Sequence, residues 1–269
     1  MIAAVLFLSF AILLLIGAPI AVCLGVSSVL TMLVQGAGRP IVTIMSSLPQ
    51  LFAASTSKFV LLAIPFFILA GNIMEKAQIS KKLIRLAEAC VGHTKGGLAI
   101  VCVIVACFFA AISGSGPATV AALGLVLIPG MIRSGYSPAF SAALMGCAGA
   151  IGVIIPPSIT FVVYGSIADT SIGNLFIAGV VPGLLMGAAL IIAALLVGRK
   201  MELKSLPKAS GKERWEAFKD AFWGLLMPVI ILGGIYGGIF TPTEAAAVAV
   251  VYGLVVGIFI YKTIRIKEL

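Results

Sequence analysis

The stretch from Gly96 to Ala168 carries a single charged side chain, that of Arg133. A soluble domain does not contain such a run, because on average about a quarter of its residues are charged. Across all 269 residues, 61% are hydrophobic and only 10% are charged. The apolar segments are continuous rather than alternating, so they indicate helices and not the strands of a β-barrel. The sequence therefore predicts an all-α polytopic membrane protein, with room for roughly seven to nine crossings of about 20 residues each.

Most of the basic residues behind the net charge of +9 lie in three polar segments. These are 75–96, 199–220 and a tail that contains Lys262, Arg265 and Lys267. The positive-inside rule places them on the cytoplasmic side and explains the charge without nucleic-acid binding. No basic residue precedes the first apolar run, so we predict a transmembrane segment there and not a cleaved signal. The five cysteines have no CxxC spacing and are expected to be packing residues.

Residues 1–95 are expected to form scaffold helices together with amphipathic surface helices. The tract 2–35 is either one long tilted helix kinked near Pro19 or two short crossings, and both remain open. Segment 36–58 is too polar to span, but its apolar residues have the 3/4 spacing of an interfacial arm helix. A second amphipathic helix is predicted within 75–96. Its apolar face contains Ile79, Leu83, Ile84, Leu86 and Ala87.

Residues 97–132 are predicted to form a re-entrant helical hairpin. Its turn is Ser113-Gly114-Ser115-Gly116-Pro117, in which glycine and proline break the helix and two serines supply hydroxyls. The flanking segments 97–112 and 118–132 would be only about 24 and 22 Å long as helices, which is short of a full span. Lys95 and Arg133 bracket the hairpin and both favour the cytoplasmic side. We therefore expect the chain to enter and leave the membrane on the same side.

Residues 136–168 are predicted to form a helix that is broken near mid-depth into halves of about 19 and 10 residues. Pro157 keeps Pro156 out of the α-helical region, and neither proline has an N–H to donate. Hairpin and broken helix together make the predicted transport element, 96–168. Non-helical backbone inside a membrane is tolerated only where it is buried in protein or lines a watery cavity. The two interruptions are therefore the candidate functional sites.

The remaining segment, 169–269, is expected to hold further spans. These are 175–198, 222–240 and 244–261, with the cytoplasmic loop 199–220 between the first two. The series Gly179, Gly183 and Gly187 predicts a smooth face for close helix packing. Thr241 to Glu244 has the pattern of a capped helix start, with Pro242 in its first turn. Capping is the favoured role for Glu244, and ion or proton coupling is the alternative.

The chemistry of the two interruptions points to transport. Carbonyl and hydroxyl oxygens suit a small cation such as Na⁺, whereas the N-terminus of a half-helix attracts an anion. Paired discontinuities of this kind are the pattern of secondary transporters. A proton relay would need Asp, Glu or His at depth, and 97–168 contains none. Coupling to Na⁺ is therefore favoured over coupling to protons.

Enzymatic functions are disfavoured. The single histidine, His93, lies in a polar turn of the segment 75–96, so Ser113 and Ser115 have no histidine base in the hairpin. No Walker A motif, kinase signature or metal-ligand cluster is present in the sequence. We expect a non-enzymatic protein without a cofactor, in which a gradient drives transport.

Four motifs resemble one known family. They are SGSGPATVAALG (113–124), PGMIRSGY (129–136), GAIGVIIPPSI (149–159) and TPTEAAAVAV (241–250). In this order, along almost the whole sequence, they are similar to the large membrane subunit of TRAP (tripartite ATP-independent periplasmic) transporters, the DctM-like family. The resemblance implies an elevator-type, Na⁺-coupled importer of an organic acid, such as a C4-dicarboxylate, sialic acid or another sugar acid. It also implies the bacterial inner membrane, a small four-helix membrane subunit and a periplasmic substrate-binding protein as partners.

The resemblance also assigns site residues. One family Na⁺ site maps onto Ser113, Gly114, Ser115, Ile155, Pro156, Pro157 and Ser158. The candidates for substrate contact are Gly116, Thr119 and Thr160. Arg133 is a possible carboxylate ligand, but its position after the hairpin favours an interfacial anchor.

The resemblance covers only the N-terminal portion of the family pattern. Members have two inverted repeats, whereas this sequence has one hairpin and one Pro-Pro break. The second repeat is absent, and a truncated reading frame or a second polypeptide would account for that. Two other classes of function stay open: a passive channel or pore subunit, and a membrane fragment that binds a partner without transporting.

Overall fold

The computed structural model describes residues 2–38, 40–199 and 201–264. Within these ranges all regular secondary structure is helical, which confirms the all-α prediction. The basic tail residues Arg265 and Lys267 lie outside the described residues. The chain divides into two compact units, Met1–Lys58 and Phe59–Leu269.

Within its described residues, the first unit contains three helices: α1 (Ile2–Leu15), α2 (Ile20–Gln35) and α3 (Ile41–Thr56). The tract 2–35 is two helices, because the chain is interrupted at Gly17, whose φ is +85°, and at Pro19. The two helices pack along each other. α3 confirms the amphipathic helix predicted within 36–58, and its side chains are exposed or half-buried. Its placement at a membrane interface stays a prediction.

The second unit begins with a 3₁₀ turn, Phe59–Leu62, and then contains nine α-helices within its described residues. They are α4 (Ala63–Lys76), α5 (Ile79–Val91), α6 (Gly97–Ser113), α7 (Gly116–Arg133), α8 (Pro138–Ala150), α9 (Ile159–Ala168), α10 (Ile172–Gly198), α11 (Gly211–Tyr236) and α12 (Pro242–Val255). A 3₁₀ turn, Ile151–Val153, extends α8, and a π-helical segment, Val256–Ile260, follows α12.

α6 is the centre of this unit. It packs against α4, α5, α7, α8, α10 and α11, and most of its residues are buried. Because α6 leads directly into the turn at Ser113, the predicted site lies at the end of the most enclosed helix.

α5 is the predicted second amphipathic helix. Its apolar face is confirmed, since Ile79, Leu83, Ile84 and Ala87 are buried and Leu86 is half-buried. This face packs against α6 and α11. On the polar side, Arg85 forms a 2.6 Å salt bridge with Asp220 of α11.

The predicted loop 199–220 is wrong in its second half, because α11 already begins at Gly211. Ser210 and Glu213 form a capping box, in which the Glu213 N–H donates to Ser210 Oγ at 3.2 Å and the Ser210 N–H donates to Glu213 Oε2 at 2.6 Å. This reciprocal pair satisfies two backbone donors and fixes the helix start. α10 likewise begins at Ile172, earlier than predicted, because the Ser171 side chain caps its first turn.

The segment 201–209 between α10 and α11 forms a strap across both ends of the hairpin. The Lys204 N–H donates to Ser134 O at 2.9 Å, just after α7, and the Leu206 N–H donates to Gly92 O at 3.1 Å, before α6. The Ser205 hydroxyl donates to Thr94 O at 3.3 Å. The strap therefore ties the chain that enters the hairpin to the chain that leaves it.

Five helical segments are long and apolar enough to cross a membrane. Among the described residues these are Phe59–Lys76, Gly116–Arg133, Ile172–Gly198, Gly211–Tyr236 and Pro242–Ile260. Shorter apolar helices of 10–17 residues, including α6, α8 and α9, are also present. The chain therefore has the helices of a polytopic membrane protein.

Candidate functional site

The α6–α7 turn reverses the chain over very few residues. Gly114 closes α6 in the left-handed region, with φ of +62°, and its N–H donates to Ala110 O at 2.8 Å. Ser115 is the N-cap of α7, and its Oγ accepts the Ala118 N–H at 3.4 Å. Because Pro117 fits the first turn of a helix, α7 begins at Gly116 and not at 118 as predicted. At 18 residues α7 is then about 27 Å long.

Hydroxyl groups cluster on the inner side of this turn. Ser113 Oγ lies 3.2 Å from Thr119 Oγ1, and the Thr119 hydroxyl donates to Ser115 O at 2.9 Å. The Ser115 N–H points to Ser113 Oγ at 3.4 Å. Ser113 and Thr119 are buried. Thr119 therefore adds a hydroxyl to the turn, whereas Ser115 caps α7.

The second interruption lies between α8 and α9. Residues 155–158 are buried, and the Pro156–Pro157 peptide bond is cis. Ser158 is the N-cap of α9, with its Oγ accepting the Phe161 N–H at 3.4 Å and donating to Val153 O at 2.6 Å. The second half-helix has the predicted 10 residues.

The first half-helix begins later than predicted. It starts at Pro138 rather than 136, because Ser137 caps it and Gly135 has a φ of +100°. Its α-helical part also ends at Ala150, before the 3₁₀ turn.

The two interruptions touch each other. The Ile159 N–H donates to Gly114 O at 3.1 Å, so one break supplies a partner for the other. A Cβ on Gly114 would lie 2.8 Å from Pro157 O, and one on Gly116 would lie 2.9 Å from Gly149 O. Only glycine permits both approaches. The predicted residues of the hairpin turn and of the Pro-Pro break are therefore brought together, although Na⁺ binding by them stays a prediction.

α10 holds the broken segment in place through its glycine face. A Cβ on Gly183 would lie 2.6 Å from Ile155 Cγ1, and one on Gly179 would collide with Ile154 O and the Phe161 ring. Gly187 faces Cys107 Sγ of α6, where a Cβ would lie at 3.3 Å. The predicted close packing is confirmed, and its partners are the Pro-Pro break and α6.

Two predicted residues occupy peripheral positions. Thr160 is in the first turn of α9 and is exposed, so it lies beside the buried junction and not within it. Glu244 is engaged in the predicted capping box, because its Oε2 accepts the Thr241 N–H at 2.8 Å and the Glu244 N–H donates to Thr241 Oγ1 at 3.3 Å. This confirms the capping role of Glu244.

A cavity of about 140 Å³ adjoins the turn, and it contains two residues that the sequence did not suggest. α4 forms one wall of the cavity with Asn72 and Glu75, opposite Ser113 and Ser115. The 3/4 spacing of Ile68, Asn72 and Glu75 places them on one face of α4. The sequence gives no signal for which helix that face meets.

In the part of the chain that the structure describes, no three His, Cys, Asp or Glu side chains are grouped as metal ligands. The five cysteines are free thiols.

Together, the five candidate spans and the buried contact between two helix interruptions define a polytopic helical membrane protein built around discontinuous helices. A family model described as tripartite ATP-independent periplasmic transporter, DctM component, matches residues 7–269. The chain belongs to this family, and it is an integral protein of the bacterial inner membrane.

Curated relatives agree with the family model. The chain is 49% identical over 245 residues to a C4-dicarboxylate TRAP transporter large permease protein from Pseudomonas aeruginosa, which covers 91% of this chain and 56% of the relative. It is 47% identical to an isethionate TRAP transporter permease protein, DctMQ, from Oleidesulfovibrio alaskensis, with coverages of 96% and 40%. It is 41% identical to an ectoine TRAP transporter large permease protein from Halomonas elongata, with coverages of 96% and 60%. The chain thus spans about half the length of these relatives, which are named as permeases and not as enzymes.

Proposed function

We propose that this chain forms the N-terminal portion of the large permease subunit of a TRAP-type secondary transporter, which couples Na⁺ entry to uptake of an organic acid. The family match supports the transporter class. The observation that carries the mechanism is the contact between the two interruptions, through Ile159 N–H and Gly114 O. It concentrates oxygen atoms and helix ends in one buried place, as ion-coupled transport requires.

In the proposed ion site, neutral oxygens hold Na⁺. The carbonyls of the hairpin turn and of the break, with the hydroxyls of Ser113, Ser115 and Ser158, are hard ligands of the kind small cations prefer. No Asp, Glu or His occurs within 97–168, so these ligands carry no proton that would be exchanged during transport. Na⁺ coupling follows more simply from this composition than proton coupling does.

The proposed substrate is an organic acid bound near the starts of α7 and α9. Both helices begin at an interruption, and their free N–H groups and dipoles favour an anion. Gly116, Thr119 and Thr160 lie in the first turns of these helices. The named relatives handle a C4-dicarboxylate, isethionate and ectoine, so the family name alone does not select the acid.

The α6–α7 hairpin is proposed to be re-entrant and to move with the broken helix in an elevator-type cycle. Two features support this: the hairpin turn meets the break, and the strap joins both ends of the hairpin. The proposed partners are a small membrane subunit and a periplasmic binding protein. The word tripartite in the family description and the permease named DctMQ are consistent with such partners.

The test is uptake by the assembled transporter, containing this chain, in proteoliposomes with an imposed Na⁺ gradient. We expect saturable, Na⁺-dependent uptake of a C4-dicarboxylate or another organic acid. Ser115→Ala should raise the Na⁺ concentration for half-maximal uptake without reducing binding-protein docking. Ser137→Ala is the matched control, because Ser137 also caps a helix, α8, by accepting the Phe140 N–H at 3.2 Å, but outside the junction.

Two results would contradict the proposal. Uptake that is unaffected when choline replaces Na⁺ would remove the coupling. Conduction that rises with substrate concentration without saturation would favour a passive channel or pore subunit instead.

A further inference from the structure

The cavity beside the hairpin turn has a charged wall that the neutral ion site does not explain. Glu75 and Asn72 of α4 line it together with Ser113 and Ser115. Its volume of about 140 Å³ accommodates a cation with several waters. The cavity therefore combines one carboxylate, one amide and two hydroxyls from different parts of the chain.

Gly71 allows α4 to approach the turn closely. A Cβ at this position would lie 3.2 Å from Ser113 Cβ and 3.3 Å from Ser113 Cα, which is tighter than an ordinary van der Waals contact. Glu75 lies one helical turn after Gly71, on the same face of α4. The close contact at Gly71 thus brings the carboxylate to the same cavity as the hydroxyls.

Among the described residues, the Glu75 carboxylate has no salt-bridge partner. In the described ranges, no hydrogen bond or salt bridge engages it. Glu75 and Asn72 are exposed, whereas Ser113 is buried. The polar groups therefore run from an accessible acidic end of the cavity to an enclosed hydroxyl end.

We propose that Glu75, assisted by Asn72, forms an auxiliary binding position for a small monovalent cation next to Ser113 and Ser115. This inference rests on the proposed Na⁺ coupling and adds to it the fixed negative charge that the neutral site lacks. A carboxylate at the mouth of a low-dielectric cavity raises the local concentration of cations. Asn72 supplies an amide oxygen as a further hard ligand.

The test measures the Na⁺ concentration for half-maximal uptake by the assembled transporter in low-salt buffer. Glu75→Gln keeps size and polarity but removes the charge, and it should raise this concentration about 3- to 10-fold while leaving the maximal rate at saturating Na⁺ nearly unchanged. The difference in half-maximal Na⁺ concentration between Glu75→Gln and wild type should shrink when choline chloride is added, because salt screens the charge. A merely structural role would not respond to ionic strength. Glu216→Gln, at an exposed carboxylate on α11, is the matched control.

A gain-of-function variant keeps the proposal testable if Glu75→Gln is produced poorly. Asn72→Asp adds a second negative charge to the same wall and should lower the half-maximal Na⁺ concentration. ²²Na⁺ binding to purified protein in nanodiscs gives a second readout that does not depend on transport.

The outcomes separate the two proposals. If uptake depends on Na⁺ and Glu75→Gln and Asn72→Asp both match the Glu216→Gln control, the role of Glu75 is overturned and the proposed function stands. If wild-type uptake and ²²Na⁺ binding show no Na⁺ site, both proposals fall.

Discussion

The Ile159 N–H and the Gly114 carbonyl oxygen, 3.1 Å apart, join two helix interruptions that lie 45 positions apart in the sequence. Gly114 ends one helix and Ile159 begins another, so each residue would otherwise present an unpaired backbone group. The hydrogen bond pairs them and leaves neighbouring carbonyls and hydroxyls at the same place. The following variants test this geometry and the packing that supports it.

Gly114→Ala should impair folding and uptake, because it combines two costs. Its φ of +62° disfavours a side chain by about 1 kcal/mol, and the new Cβ would lie 2.8 Å from Pro157 O. We expect Tm to fall by several degrees in detergent. Gly238→Ala is the control, since Gly238 has φ of +69° with no neighbouring atom within 4 Å and should suffer the strain alone. An equal decrease in Tm for the two variants would show that the contact with Pro157 is unimportant.

Gly183→Ala should displace the Pro-Pro break, because the added Cβ would lie 2.6 Å from Ile155 Cγ1. We expect about 1–3 kcal/mol of destabilisation, as is typical of overpacking. The double variant Gly183→Ala with Ile155→Ala should lose less stability than the sum of the two single variants, because Ile155→Ala removes the clashing Cγ1. Gly146→Ala in α8 is the control and should be neutral or slightly stabilising, because its Cβ would meet nothing within 4 Å.

Thr241→Ala should destabilise the start of α12 by about 1 kcal/mol, since Thr241 Oγ1 accepts the Glu244 N–H. Thr241→Ser retains the hydroxyl and should restore most of the stability. Glu244→Gln should leave the Na⁺ dependence of uptake unchanged, because its carboxylate is occupied in capping. A large shift in half-maximal Na⁺ concentration for Glu244→Gln would reveal a coupling role instead.

Lys204→Pro should loosen the strap, because proline has no N–H to donate to Ser134 O. The free energy of unfolding should fall by about 1 kcal/mol, plus the cost of any strain from the proline ring. Hydrogen exchange should increase in the peptides that contain Gly92 and Ser134. Lys204→Ala keeps the N–H and serves as the control. If hydrogen exchange in these peptides is the same in both variants, the strap does not restrain the hairpin ends.

Local chemistry made both interruptions predictable. Gly114 and Pro157 act on their own backbone and that of their neighbours, so the positions of the breaks follow from a few adjacent residues. The capping box at Thr241 was predicted for the same reason. The equivalent box at Ser210 was missed because the high charge of 199–220 suggested a loop, although Ser210 and Glu213 have the required spacing.

Long-range pairing was not predictable. The sequence shows that Asn72 and Glu75 share a face of α4, but not that this face meets Ser113, since the pairing depends on how helices distant in the chain assemble. Gly71 permits that contact only because α6 ends opposite it. The partners of Gly179 and Gly183 were unpredictable for the same reason, although the face itself was evident.

The contact between Gly71 and Ser113 also bears on how parts of this membrane protein move past one another. A glycine has no side chain to interlock with its neighbour, so the two surfaces can slide axially with little steric resistance. Such a shear would change the width of the passage between the acidic mouth and the enclosed hydroxyls. Sliding along the Gly71–Ser113 contact would thus open or close access for an ion without unfolding either helix.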